Sequence, residues 1–163
     1  MKLLPLALFL LVIGCSDDGG ICSGDVCDFE CDGCGATCQG VSECIADCTD
    51  GCDLGCVDST DCDIRCNDDC QITCTDTTTC AAQCGADCEY ECQSVSSCTP
   101  TLGDKGVARC TSVGTCDVTC TDDCAVYCQD TGTCTVSCDQ GNQQSCENDV
   151  VACGPCPPVT NPT

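Results

Sequence analysis

Apolar and polar positions alternate along most of the chain in five-residue units of the form Cys-x-apolar-x-Cys. From Cys27 onward the middle positions are Phe29, Ala36, Ala46, Leu54, Ile64, Ile72, Ala82, Tyr90, Val118, Val126 and Val136. Most residues beside them are Asp, Glu, Gln, Thr or Ser. On an extended strand successive side chains point to opposite faces, so both cysteines and the middle residue share one face. On a helix, at ~100° per residue, the middle residue would lie ~200° from the first cysteine, turning the apolar side chains away from the sulfurs. Thr, Val, Asp and Gly also disfavour helix, and the units are predicted to be strands.

The units recur at a fixed interval. Cys44, Cys48, Cys52 and Cys56 are followed 18 residues later by Cys62, Cys66, Cys70 and Cys74, and again by Cys80, Cys84, Cys88 and Cys92. Cys98 and Cys110 hold the first and fourth positions of the next repeat, where Leu102 and Gly106 replace the second and third. Cys116, Cys120, Cys124 and Cys128 restore the full set. Cys134, Cys138 and Cys146 follow with Asn142 at the third position, and at the front Cys34 and Cys38 are in register while Cys27 and Cys31 are displaced by one. Three-residue links such as Asn67-Asp68-Asp69 carry turn chemistry and alternate with five-residue links such as Val57 to Asp61. One repeat is therefore strand, tight turn, strand, wider turn. Such a period points to an all-β solenoid of about seven coils over residues 27–151, each coil burying its face by stacking on the next. At ~4.8 Å per coil the stack would be roughly 30–35 Å long. An antiparallel meander of separate hairpins fits the same alternation.

Composition says what replaces a conventional core. The chain has 163 residues with 29 Cys but only two Phe, two Tyr and no Trp, so cross-links must do much of the work. The formal charge is −23, with Lys2, Arg65, Lys105 and Arg109 the only basic side chains. That leaves no basic patch for nucleic acid or anionic lipid headgroups. The absence of His removes Ser-His-Asp and Cys-His catalysis and imidazole metal sites, so no enzyme and no small-molecule substrate is expected.

The repeat lacking its second and third cysteines kept its first and fourth. Second would then pair with third and first with fourth within a coil: Cys48–Cys52 and Cys44–Cys56, repeated along the stack, with Cys98–Cys110 alone. A ladder joining equivalent cysteines of adjacent coils, such as Cys44–Cys62, lies within the same reach. The in-coil scheme leaves Cys22, Cys138, Cys153 and Cys156 unassigned.

Four other chemistries have partial support in these residues. Cys153-Gly154-Pro155-Cys156 matches the thioredoxin redox tetrapeptide, but Pro157-Pro158 follow and no helix can begin there to stabilise a thiolate, so a capping region with a Pro-rich tail is expected. Metallothionein-like thiolate binding needs reduced cysteines, usually in Cys-x-Cys or Cys-x-x-Cys clusters. The acidic turns around Asp58 and Asp61, Asp68 and Asp69, or Asp122 and Asp123 would bind Ca²⁺ weakly, without a dedicated site. Ice binding needs a flat array of outward Thr, and the outward positions Ile45, Asp47, Asp63, Arg65, Ala81, Gln83, Asp117 and Thr119 do not provide one.

At the N-terminus, Met1-Lys2 precedes an apolar run from Leu3 to Ile13, shorter than the ~20 residues that span a bilayer and suited to a secretory signal. It ends in Val12-Ile13-Gly14-Cys15, which resembles the lipobox of bacterial lipoprotein precursors. The resemblance implies cleavage after residue 14 and a diacylglyceryl anchor on Cys15. Multiple acyl chains would hold the protein stably to a membrane. Ser16-Asp17-Asp18-Gly19-Gly20 reads as a solvated tether, and the Asp pair is similar to surface-export signals of some lipoproteins.

The chain is thus expected to comprise a signal peptide (1–14), a lipidated Cys and tether (15–26), a disulfide-stapled solenoid (27–151) and a Cys/Pro-rich cap and tail (152–163). The expected role is a structural or interaction module of the cell envelope, periplasmic or at the cell surface, with the outer membrane favoured. Its partner would be an envelope or extracellular protein or polysaccharide, with no cofactor. The competing reading is a metal-handling protein, thiolate-based or calcium-based.

Overall fold

The structure, a computed structural model, describes residues 20–33 and 35–157. The expected signal peptide and lipidation site Cys15, together with Cys34 and the end of the tail, lie outside the described residues. Sixteen strands and no helix form among the described residues. The first ten are β1 (Gly20–Cys22), β2 (Val26–Cys31), β3 (Gly35–Gln39), β4 (Glu43–Cys48), β5 (Asp53–Val57), β6 (Asp61–Cys66), β7 (Gln71–Thr75), β8 (Thr79–Cys84), β9 (Glu89–Gln93) and β10 (Ser97–Leu102). The remainder are β11 (Val107–Thr111), β12 (Thr115–Cys120), β13 (Cys124–Gln129), β14 (Thr133–Cys138), β15 (Gln143–Ser145) and β16 (Val150–Cys153).

The strands sort into two sheets, and the chain crosses between them at every turn up to β15. Even strands stack as β2-β4-β6-β8-β10-β12-β14, and odd strands as β1-β3-β5-β7-β9-β11-β13, extended by β16 and β15. All pairings are parallel except β13 with β16 and β16 with β15. The chain is therefore a β-solenoid of about seven turns and not a hairpin meander. Parallel neighbours cannot be joined by a hairpin, and here the opposite sheet supplies each crossover. Register follows the repeat: Cys44 stands beside Cys62, Cys62 beside Cys80, and Cys38 beside Cys56. Among the described residues the stacked sheet begins at Gly20, since β1 pairs with β3. The one-residue displacement at Cys27 and Cys31 is absorbed before β4, where they pair in register with Cys44 and Cys48.

The interior is made of columns. Ala46, Ile64, Ala82 and Val118 from the even sheet meet Leu54, Ile72, Tyr90 and Val126 from the odd sheet, all at 2% exposure or less. Tyr90, the largest, lies in the same coil as the small Ala82, and its hydroxyl donates to the Cys80 carbonyl at 2.9 Å across the core. Pro100 occupies the even column too. It has no ladder donor, and the β10–β12 pairing skips from Cys98 to Thr101.

A further buried column was not legible as core. The middle residues of the wide turns, Val41, Ser59, Thr77, Val95 and Val113, are all nearly inaccessible. The Ser59 hydroxyl donates to the Val57 carbonyl, but Thr77 Oγ1 has no partner. A buried hydroxyl without a hydrogen bond is destabilising. Thr77→Val, which copies Val95 and Val113, is expected to raise stability by about 1 kcal/mol. The check is the guanidinium midpoint of the oxidised protein, and an unchanged or lower midpoint contradicts it.

The turns also account for several of the aspartates. Asp58, Asp76 and Asp130, with Ser94 and Ser112, hold φ between 51° and 57° in one column. Asp69, Asp87 and Lys105 do the same in the tight turns, beside Gly51 at φ 66°. Left-handed backbone favours Gly, Asn and Asp, so aspartate is there for its conformation. The turn amides extend the ladder from coil to coil, as in Asp58 N–H to the Thr75 carbonyl at 3.1 Å.

Candidate functional site

The densest chemistry is sulfur. Three disulfides join second to third positions four residues apart: Cys66–Cys70, Cys84–Cys88 and Cys120–Cys124. The first and fourth cysteines pair differently from the sequence expectation. The fourth of one coil bonds the first of the next across the wide turn, giving Cys38–Cys44, Cys56–Cys62, Cys74–Cys80, Cys92–Cys98, Cys110–Cys116 and Cys128–Cys134. The reason is geometric. The fourth cysteine ends an odd strand and the first opens the following even strand, so the turn brings their Cα atoms to 6.1–6.6 Å. Cys98 and Cys110 bond outward to Cys92 and Cys116 and not to each other. The interrupted repeat therefore identified the second–third partnership in three coils, failed at the expected Cys48–Cys52, and misassigned the first–fourth pairing throughout.

The ends close with pairs the repeat could not assign: Cys22–Cys27, Cys138–Cys153 and Cys146–Cys156. Cys153 and Cys156 each bond elsewhere, so the thioredoxin-like tetrapeptide holds no internal disulfide.

One position breaks the pattern. Cys48 bonds Cys31, its lateral neighbour on β2, and Cys52 is a buried free thiol. The Cys52 Sγ lies 3.8 Å from the Cys31 Sγ, and the three sulfurs lie within 4.8 Å of one another. Above them is a surface concavity of about 410 Å³ lined by Glu30, Cys31, Asp32, Asp47, Cys48 and Thr49. Sequence periodicity could not reveal this site, because it arises where the first coil departs from the repeat.

The turn carboxylates already have partners in places. Asp68 Oδ1 accepts the Ala86 N–H at 2.6 Å, and Asp50 Oδ1 accepts the Asp68 N–H at 3.2 Å, each linking one coil to the next. All three basic side chains among the described residues sit against acids. Arg65 bridges Asp47 at 3.6 Å and Asp63 at 3.2 Å, and Arg109 approaches Glu89 at 3.5 Å while lying over the Tyr127 ring. Lys105 stands in the tight-turn column, where Asp87 and then Asp104 push its ammonium pKa up.

The outward faces are uneven along the rod. On the even sheet, Asp28, Glu30, Glu43, Asp47, Asp61 and Asp63 crowd β2, β4 and β6. From β10 to β14 the outward residues Ser97, Thr99, Thr101, Thr115, Thr119, Thr133, Thr135 and Ser137 carry hydroxyls, interrupted by Asp117. No protein-family model, curated protein or solved structure matches the chain.

Proposed function

We propose that the protein is a membrane-tethered, extracytoplasmic lipoprotein whose solenoid serves as a structural or interaction module of the cell envelope. The observation carrying this reading is the disulfide closure of every coil, a chemistry that persists in oxidising compartments outside the cytoplasm. The Val12-Ile13-Gly14-Cys15 lipobox agrees with it. Only the short stretch from Cys15 to Gly20 would separate the lipid from β1, a reach of under roughly 20 Å when fully extended. The acidic first coils would then stand nearest the bilayer and repel anionic headgroups, and the hydroxyl-rich coils would be presented farther out to a protein or polysaccharide partner.

Anchoring is tested with Cys15→Ser. The wild-type chain is expected to incorporate labelled fatty acid and to sediment with membranes. The variant should lose the label entirely and leave the membrane fraction. A wild-type protein that takes up no label, or a variant that still sediments with membranes, defeats the reading.

A further inference from the structure

The two sheets have four edges among the described residues, and three of them are guarded. β1 and β15 are only three residues long. β2 is six residues long but turns Asp28 and Glu30 outward. Short strands and outward charges are common means of keeping an edge from pairing with another chain. β14 has neither. It is six residues long, ends its sheet, and turns Thr133, Thr135 and Ser137 outward. Its outer edge therefore offers a row of unpaired N–H and C=O groups.

The opposite wall runs on past it. The odd sheet has nine strands and the even sheet seven. β16 takes the place of the odd strand that would follow β14, and β15 stands one position farther out. An eighth even strand would lie between their levels, and its absence shows in residues that point inward. Val151 pairs with Val126 and so faces the core, yet it is partly exposed where Val126 is fully buried. Ser145, which pairs with Val151, is exposed on the same side. In β14 itself Cys134 and Cys138 are partly open, whereas Cys116 and Cys120 beside them in β12 are at 0% exposure.

We propose that β14 accepts an extended segment of a partner protein as an added strand, whose alternate residues are small and apolar and turn inward over Val136 and Val151. Main-chain hydrogen bonds to β14 supply the affinity, and the open core positions select the side chains. At ~4.8 Å between strands, the gap beside β15 admits a single strand. A second copy continuing the stack with its β2 on β14 would need its β1 where β16 already lies. Two copies joined β14 to β14 in one sheet would drive their projecting β15 strands together. The last residues of the chain, 158–163, include Pro158 and Pro162, which have no donor for a ladder. The proposal rests on the interaction-module part of the reading above and not on the lipid anchor, so failure of the Cys15 labelling and failure of this site are told apart.

The experiment uses the purified full chain in detergent and a lysine-flanked synthetic peptide of alternating threonine and valine, followed by hydrogen exchange and mass spectrometry. Saturating peptide is expected to slow exchange within Thr133–Cys138 by about tenfold and to leave β2 unchanged. The same peptide N-methylated at alternate residues keeps its charge and side chains but loses donors, and should bind about tenfold more weakly. Val151→Asn, which puts a polar group where the added strand would cover it, should weaken the unmethylated peptide about tenfold. No slowing in β14, equal slowing in β2, equal binding of the N-methylated peptide, or unchanged affinity in Val151→Asn overturns the proposal. So does protection of β14 that rises with protein concentration alone, which would assign the edge to a second copy. Tighter peptide binding by a chain ending at Pro157 would assign it to the tail and overturn the proposal as well. Should the Val151→Asn chain not fold, the wild-type exchange pattern and the N-methylated peptide are enough to uphold or overturn it.

Discussion

Complete reduction is expected to unfold the protein. Closing a loop of four to six residues stabilises by about 2 kcal/mol on the chain-entropy model, and most of the bonds close loops of that size. A typical domain has a net stability of only ~5–15 kcal/mol, so even a fraction of each contribution along the stack decides between folded and unfolded. Little else would compensate. Apart from Tyr90, Phe29, Pro100, Ser59, Thr77 and a few Leu and Ile, the interior is Ala, Val and the cysteines themselves. Most of the bonds are buried, Cys146–Cys156 being an exception, so dithiothreitol should act slowly on the stack until mild guanidinium opens the coils. Once thiol titration shows all bonds reduced, the β-type circular dichroism should collapse and a protease should digest the body. Retention of the strand signal with every thiol free would mean that the coils stack without sulfur.

The short bonds also determine what folds first. Each four- or six-residue loop joins neighbouring segments, so a bond can form as soon as its turn does. The strand pairing they leave to be made spans 18 residues, as between Cys44 and Cys62. Contacts at that separation are costly in loop entropy until the connecting turns are fixed. Clipping Cys56 to Cys62 and Cys66 to Cys70 presets both corners of a coil before it stacks. This is a reason for placing bonds at corners and not across equivalent cysteines of adjacent coils. Cys31–Cys48 is the exception, and it falls in the coil where the repeat is one residue short.

How much of this was legible follows from which features are periodic. The strand faces, the two-sheet coil and the register are consequences of alternation at two and recurrence at 18, so Ile64 and Ile72 could be placed inside from pattern alone. The wide-turn column was missed because Val41 and Ser59 sit in links that look polar, and nothing local marks the middle residue as turned inward. The first–fourth pairing went astray because position in a repeat does not say which coil supplies the partner. That depends on where the wide turn directs the chain. The acidic turns were legible as turns, but the left-handed backbone at Asp58 and Asp69 could not be read from their charge. The three-sulfur cleft was out of reach, since it lies where the period fails.

Tyr90 is expected to be the most damaging single position in the interior. It is the largest of the fully buried side chains, and its neighbours are held by bonds on either side, Cys74–Cys80 and Cys92–Cys98. Clipped coils cannot close over a void, so Tyr90→Ala should cost about 3–5 kcal/mol, at the upper end for an aromatic truncation. Tyr90→Phe keeps the ring and loses only the bond to the Cys80 carbonyl, at a cost of about 1 kcal/mol. The two are separated by denaturant midpoints of the oxidised variants, and similar midpoints would mean that the ring is not filling space. The phenol adds a pH dependence of definite sign. Burial pushes its pKa far above the ordinary value, whereas in the unfolded chain it ionises near about 10. The folded state therefore binds the proton more tightly: its advantage is intact below about pH 10 and is lost as pH rises further, when only the unfolded chain gains from ionising. In a Tyr127→Phe background, phenolate absorbance should appear only together with loss of the strand signal, and Tyr90→Phe should flatten the alkaline limb of stability. Phenolate absorbance in a chain that keeps its strand signal would place Tyr90 in contact with water, and the account of the core would fail at its centre.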